Sequence, residues 1–282
     1  MLDEIVRWLD PRSGAILVDG TLGGGGHARA LAERVGESGL VIALDRDPAA
    51  IAAAQQELAG LPVRPIQADF CDLPEVLGEL GVDKVDGVVL DLGLSSDQLA
   101  DPHRGFSFSS EGPLDLRFDP MQGEPARRLL NRLSAEHLAD LIYYYGEERY
   151  SRRVAQAIVQ RRREKPIETA AELAALVRKV VPRSPRERID PATRTFQALR
   201  IAVNDELKSL EIALRRVPDV LRPHARFAVI SFHSLEDRRV KEAFRGDGRL
   251  EVLTRKPERP GAEEVERNPR SRSAKLRVAA RV

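Results

Sequence analysis

The sequence predicts an α/β fold, a doubly wound parallel sheet, and three observations predict it. Between residues 15 and 91 one unit repeats: an apolar run rich in β-branched residues, a turn, and a stretch with helical spacing. The turn after the first run holds four successive glycines. The runs end on or just before acids, at the strand ends where sheets of this class place their ligands.

The apolar runs are 15–19, 40–45, 63–66 (with Asp69 just beyond) and 85–91. Between them, 27–35, 48–59 and 74–80 have helical spacing, with Asp47 as N-cap and Pro48 at the first helical position. After Asp91 the rhythm stops, and the next strand-like run, 226–231, follows more than a hundred residues later. A single crossover helix does not fill that gap. Residues 104–191 are helical in pattern, which predicts an inserted helical domain there and a sheet domain made of 1–103 and 192–282. A helix over 196–221 then resumes the crossover, followed by the strand 226–231, a helix over 237–244 and strands over 250–254 and 275–282. The polar stretch 256–273 reads as a mobile loop.

With 282 residues, 42% of them hydrophobic, the chain is long enough to bury a core. Lys and Arg number 45 against 44 Asp and Glu, so any attraction to a polyanion has to come from a local basic face. The opening stretch has no signal-peptide core and no membrane-spanning run, so a cytoplasmic protein without membrane attachment is expected. Cys71 is the single cysteine. With no His partner apparent, it is expected to be a small buried hydrophobe and not a nucleophile.

The candidate binding site is the segment Asp19-Gly20-Thr21-Leu22-Gly23-Gly24-Gly25-Gly26-His27. Glycines there permit positive φ and let the backbone approach a ligand closely. Gly23-x-Gly25-x-x-Ala28, with Asp45 at the distance of a ribose-binding acid, fits a dinucleotide fingerprint and suits NAD as well as S-adenosylmethionine, since both carry an adenosine. Two features favour S-adenosylmethionine. Asp19, just before the turn, suits the ammonium of a methionine tail and repels a pyrophosphate. Asp69 and Phe70 after the third run suit an adenine amino group and its ring face. No Walker pattern and no Gly-x-Ser-x-Gly is present. His233 and Glu236 have no third partner at metal-ligand spacing, so no metal is expected. Ser234 and Asp237 have the spacing of a helix-capping box, which leaves His233 open to a substrate contact.

Asp91-Leu92-Gly93-Leu94-Ser95-Ser96-Asp97-Gln98-Leu99 and Arg104-Gly105-Phe106-Ser107-Phe108 resemble the bacterial small-subunit ribosomal RNA cytosine-N4 methyltransferases, the MraW family. Further matches are Gly112-Pro113-Leu114-Asp115, the run from Ala192 to Ile201, the run from Ile230 to Arg238 and Asn268-Pro269-Arg270-Ser271-Arg272-Ser273. The resemblance implies a class I methyltransferase sheet with an inserted helical domain that recognises substrate. It implies S-adenosylmethionine as cofactor and the N4 amino group of a cytidine in the decoding region of 16S ribosomal RNA, within the small ribosomal subunit, as target. By the family pattern Gly25, Gly26, His27, Asp45, Phe70, Asp91 and Gln98 contact the cofactor, joining Asp19, Gly23, Gly24 and Asp69 from the residue reading. Asp91 and His233 are the candidate catalytic groups, with a cofactor role the stronger expectation for Asp91. Two positions depart from the family: Asp190 stands where a His is usual, and Pro223-His224-Ala225 where Pro-Gly-Gly is common.

For RNA, the helix expected over 149–163 carries Arg149, Arg152, Arg153, Arg162 and Arg163 largely off its apolar face of Tyr150, Val154, Ala157 and Ile158. Arg183, Arg186, Arg188 and Arg194 add to this cationic region, and Arg270 and Arg272 are further candidate phosphate contacts. All four tyrosines, Tyr143, Tyr144, Tyr145 and Tyr150, lie in the same region. One or two suit base stacking, and core packing is the expectation for most.

Overall fold

A computed structural model describes residues 1–182 and 189–282; Arg183, Arg186 and Arg188 lie outside the described residues. The Cα packing divides the chain into two units, one of residues 1–94 and 207–282, the other of residues 95–206.

The first unit opens with a helix, α1 (Leu2–Leu9), whose Ile5 and Leu9, four residues apart, are buried. It then alternates β1 (Ile16–Asp19), α2 (Gly26–Val35), β2 (Leu40–Asp45), α3 (Pro48–Glu57), β3 (Val63–Gln67), α4 (Leu73–Glu79) and β4 (Val85–Asp91). Asp47 caps α3 by accepting from the Ala49 amide, with Pro48 at the first turn, as expected from the residue types.

The packed face switches at every residue along the central strands, which stay buried throughout. Leu17, Val41, Ala43, Val89 and Ala228 pack on one face with α1, α2 and α3, while Val18, Ile42, Leu44, Val88 and Leu90 pack on the other. A strand buried on both faces has to be apolar throughout, which is why these runs carry no polar alternation.

The second unit starts with α5 (Ser96–Ala100), closed by a reciprocal cap between Ser95 and Gln98. Its remaining helices are α6 (Ala126–Arg132), α7 (Ala135–Gly146), α8 (Ser151–Glu164), α9 (Ala170–Val180) and α10 (Thr193–Asn204). Residues 101–125, expected to be helical in part, contain no helix. Gly105, Gly112, Pro113, Pro120, Gly123 and Pro125 interrupt the pattern. Side chains tie this segment down instead: Arg104 donates to the carbonyls of Arg117 and Phe118, and Asn204 accepts from the Phe118 amide and donates to the Leu116 carbonyl. Gly146 lets α7 approach α10 closely, since a Cβ there would sit 2.4 Å from the Arg194 carbonyl oxygen.

The chain returns through α11 (Glu206–Val220), β5 (Leu221–Ser231), α12 (Ser234–Gly246), β6 (Leu250–Val252), α13 (Ala262–Arg267) and β7 (Lys275–Arg281). The helix expected over 196–221 is two helices, because Asp205 takes a left-handed conformation at φ 51° and closes α10. As a result α10, expected in the sheet domain, packs with the second unit, and the division falls at 95 and 206 instead of 104 and 191. The polar stretch 256–273 is also more ordered than expected: it forms α13 and a 3-10 turn over Pro269–Ser273, with Glu258 bonded to the Trp8 ring nitrogen.

The seven strands run in the order β3-β2-β1-β4-β5-β7-β6. Neighbours are parallel from β3 to β5, and β7 is antiparallel to both β5 and β6. This is the Rossmann-like, doubly wound sheet that was expected, and its strand order reverses between β1 and β4.

Two consequences are measurable. The β4–β5 register jumps between Val85 and Gly87, and His224 in the resulting bulge has φ 67°. This is the stretch where the family commonly has Pro-Gly-Gly, so a side chain here bears left-handed strain that glycine avoids. His224→Gly is expected to raise stability by about 0.5–1 kcal/mol in denaturant titration, net of the entropy glycine adds to the unfolded chain. Cys71 is buried as expected. Burial, with Asp69 and Asp72 beside it, pushes its thiol up to about 12. Thiol labelling of the native protein should therefore run about a thousandfold slower than for an ordinary cysteine and become fast in denaturant. Equal rates in the two states would contradict this.

Candidate functional site

In a sheet of this kind ligands bind where the strand order reverses, at the carboxyl ends of β1 and β4, and the chain's acids gather there within the first unit. Asp19 ends β1, Asp45 ends β2 and Asp91 ends β4. The glycine turn leads from Asp19 into α2 and is tied to both neighbouring strands: Gly20 donates to the Val89 carbonyl and Leu22 to the Leu44 carbonyl. Gly20 has no room for a side chain, since a Cβ would lie 2.4 Å from Leu90 Cδ2. Gly23 and Gly25 have φ 47° and 75°, and Gly25 is the N-cap of α2. Gly24 and Gly26 are exposed on this turn.

Asp45 holds the turn in place. Its Oδ2 accepts from the Gly23 amide at 2.8 Å and its Oδ1 from the Asp47 amide at 2.9 Å. Burial raises its pKa above the usual carboxylate value, against the lowering effect of those amides.

Asp19 is fully buried. Its Oδ1 accepts from the Thr21 amide at 3.1 Å, and its Oδ2 has no hydrogen-bond partner among the described residues. Burial pushes this carboxyl up to about 6, against the opposing charge of His27 and the Thr21 hydrogen bond. His27, on the first turn of α2, places Nε2 3.3 Å from Asp91 Oδ2. Burial lowers the imidazole pKa, but the Asp91 hydrogen bond and the charges of Asp91 and Asp19 outweigh it and the net shift is upward. His27 Nδ1 and Asp91 Oδ1 are likewise buried without partners among the described residues. Two carboxylates act on one imidazole, and the orphaned oxygens favour a cationic, hydrogen-bond-donating ligand over a phosphate.

Thr21 was not singled out in the sequence, yet it links the two acids. Its Oγ1 accepts from the Asp91 amide at 2.6 Å while its own amide donates to Asp19. A hydroxyl within an otherwise side-chain-poor turn was the available signal.

Asp69 is more committed than its expected role requires. Its Oδ1 accepts from the Cys71 amide, its Oδ2 accepts from Ser209 Oγ at 2.8 Å, and Arg46 lies 3.4 Å away. Phe70 is partly buried and packs beside Gly20. Gln98 lies in the second unit, where it completes the α5 cap.

His233 corrects the expected cap. The N-cap of α12 is His233 itself, one residue before Ser234, and the returning acid is Glu236 instead of Asp237. His233 Nδ1 accepts from the Glu236 amide, Glu236 Oε2 accepts from the His233 and Phe232 amides, and Nε2 lies 3.1 Å from Glu236 Oε1. Asp237 instead binds Arg277 and Lys275. An imidazole nitrogen here does what a Ser oxygen does in the common capping box. His233 Nδ1 thus serves as the cap acceptor, while Nε2 is buried without a hydrogen-bond partner among the described residues.

Among the described residues no three His, Cys, Asp or Glu side chains are placed to hold a metal ion, and no helix is long and apolar enough to cross a membrane.

In the second unit Arg152, Arg153 and Arg163 on α8 are exposed, whereas Arg162 is partly buried and donates to the Leu130 carbonyl. Arg194 is partly buried on α10. Arg270 and Arg272 are exposed on the 3-10 turn of the first unit. The tyrosines overturn the packing expectation: Tyr143, Tyr144, Tyr145 and Tyr150 are 54%, 66%, 37% and 42% exposed. The apolar face of α8 is filled by Ser151, Val154, Ala155 and Ile158 without them.

The sequence pattern of the MraW methylase family matches residues 1–282. Proteins called ribosomal RNA small subunit methyltransferase H are similar over the whole chain. That of Thermomicrobium roseum is 50% identical, with 100% of this chain and 92% of the relative covered, and that of Rhodopirellula baltica is 52% identical, with 100% and 90% covered. A crystal structure described as a putative rRNA methylase from Clostridium thermocellum shares the fold, with a TM-score of 0.50, 14% identity and coverage of 100% of this chain and 95% of that one.

Proposed function

Since the chain belongs to the MraW methylase family, we propose that it transfers a methyl group from S-adenosylmethionine to the N4 amino group of a cytidine in the decoding region of 16S ribosomal RNA. Its relatives bear the name of a small-subunit ribosomal RNA methyltransferase, and the enzyme class follows them. The N4 position and the decoding-region target rest on the motif resemblance.

The observation that supports the cofactor best is the buried Asp19 carboxylate with an orphaned oxygen beside a glycine turn. A methionine ammonium satisfies that oxygen, and a pyrophosphate is repelled by it. Asp45, already oriented by two amides, has lone pairs left for ribose hydroxyls. Phe70 supplies a ring face for the adenine. Gly23, Gly24, Gly25 and Gly26 let the backbone approach, His27 and Asp91 line the crevice, and Asp69 completes the cofactor set proposed within the first unit; Gln98 enters by the motif resemblance alone.

Bound here, S-adenosylmethionine supplies an electrophilic methyl on a positively charged sulfur. The cytosine amine is a poor nucleophile because its lone pair is delocalised into the ring, so the protein's main contribution is alignment, worth on the order of 7 to 11 kcal/mol. An amine that accepted the methyl group would have a proton to lose. Asp91 is the acidic group of the crevice available to accept it, and His27 at 3.3 Å holds that carboxylate in place. The second unit, as the substrate-recognition domain, offers Arg152, Arg153, Arg163 and Arg194 to RNA, and the first offers Arg270 and Arg272. Arg162, which gives one donor to the Leu130 carbonyl, keeps others for the same role.

The test uses the purified protein. It should bind S-adenosylmethionine and not NAD, and transfer labelled methyl to small ribosomal subunits, with N4-methylcytidine as the labelled nucleoside. Binding of NAD in place of S-adenosylmethionine, or label in another nucleoside, would overturn the reading.

A further inference from the structure

We infer that the corner between α7 and α8 is a platform that stacks unpaired nucleotides of the RNA substrate and holds their phosphates. The inference rests on the RNA methyltransferase reading above and names the part of the RNA this surface takes.

All four tyrosines of the chain fall within residues 143–150, and all four are exposed. Tyr143 and Tyr144 meet edge to face, with ring centroids 5.3 Å apart and planes at 80°, so they brace each other while each ring stays more than half open to solvent. Aromatic rings left in water at this density are costly unless something covers them.

The same corner carries Arg149, Arg152 and Arg153, all exposed. None of the three has a hydrogen bond or ion pair among the described residues. The other end of α8 behaves differently: Arg161 donates to the Lys165 carbonyl and Arg162 to the Leu130 carbonyl. Three guanidinium groups without an ion-pair partner among the described residues, against one exposed acid at the same corner, Glu147, leave a net positive charge that attracts a polyanion, and flat rings at the same corner suit bases.

The base of the corner is fixed. Ile142 and Gly146 of α7 and Val154, Ala155 and Ile158 of α8 are buried. Glu147 takes a left-handed turn at φ 50°, and the buried Glu148 accepts from the Tyr150 amide at 2.8 Å. The aromatic and cationic groups therefore sit on a rigid support and lose little entropy on binding.

In a duplex the bases stack on one another and offer no faces, so a platform of this kind selects unpaired strand. Tyrosine faces read no base edges, so the selection is by strand state and not by sequence.

The test compares an oligouridine strand with a blunt RNA duplex of equal length, by fluorescence anisotropy across a salt series, for the intact protein. The wild type should bind the unpaired strand more tightly. Tyr143→Ala with Tyr144→Ala should weaken that binding by about tenfold to a hundredfold with little change in its salt dependence. Tyr143→Phe with Tyr144→Phe should bind as wild type, since the rings remain. Arg149→Gln, Arg152→Gln and Arg153→Gln together should flatten the salt dependence by a slope of about 2. Thermal melting checks that each variant folds. Equal binding of duplex and single strand by the wild type, or wild-type binding by the double alanine variant, would overturn the inference and point to a protein partner for this surface. Methyl transfer by the wild type to small ribosomal subunits, run in parallel, separates the two claims. If transfer occurs while the tyrosines prove silent, only the platform fails; if no transfer occurs, the RNA methyltransferase reading fails first.

Discussion

Asp45→Ala is expected to lower S-adenosylmethionine affinity roughly ten- to a hundredfold in calorimetric titration, with the fold intact. Two losses add. The carboxylate at the end of β2 accepts ribose hydroxyls in the proposed site, and charge-assisted bonds of that kind are worth about 1.5 to 3 kcal/mol each. The same carboxylate also pins Gly23 and Asp47 through their amides, so its removal loosens the turn over which the ligand lies. Core packing of β2 rests on Val41, Ile42, Ala43 and Leu44 and is not touched. Unchanged affinity would remove Asp45 from the site.

The second large effect is on pH dependence. Asp19 has its carboxyl raised from 3.8 to about 6 in the folded protein, mainly by burial. The native state therefore holds this proton more tightly than the unfolded chain does. Its contribution to stability is fully present below the unfolded value and is lost as pH rises through about 6, a change of about 3 kcal/mol. The raised His27 acts in the same direction. Asp19→Asn keeps the shape without the charge, so the ligand-free variant should be more stable than wild type at neutral pH, and the difference should vanish at acid pH. Ligand binding shows the opposite preference. An ammonium needs the ionised carboxylate, so wild-type affinity for S-adenosylmethionine should fall about tenfold per pH unit below about 6. Asp19→Asn should bind about a hundredfold more weakly at about pH 8 and show a flatter profile. A wild-type affinity constant from about pH 5 to 8 would contradict the assignment.

The sheet was legible because its strands are buried on both faces: runs such as Val85–Asp91 have to be apolar throughout, and each is punctuated by a turn. The acids at the strand ends were legible for a related reason, since an Asp that closes an apolar run stands out against it. What was hidden depended on contacts distant in sequence or on single dihedral angles. Asp205 breaks the helical pattern over 196–221 with one left-handed residue that hydropathy does not register. Most of the four tyrosines read as core because tyrosine usually packs, and only the burial of Ala155 and Ser151 shows that α8 needs no aromatic cover. His233 as a cap falls outside the usual set of Ser, Thr, Asp and Asn, so the box was placed one residue late. The order in 256–273 comes partly from Trp8 and Leu276, which bind Glu258 from the two ends of the chain.

The most direct test of the central claim, that this chain methylates N4 of a cytidine in small-subunit ribosomal RNA, is mass spectrometry of that RNA's nucleosides from cells lacking the protein. The account predicts loss of N4-methylcytidine in those cells. It also predicts restoration by the wild-type chain and little or none by the Asp45→Ala chain at matched expression. N4-methylcytidine persisting at its normal level without the protein would contradict it.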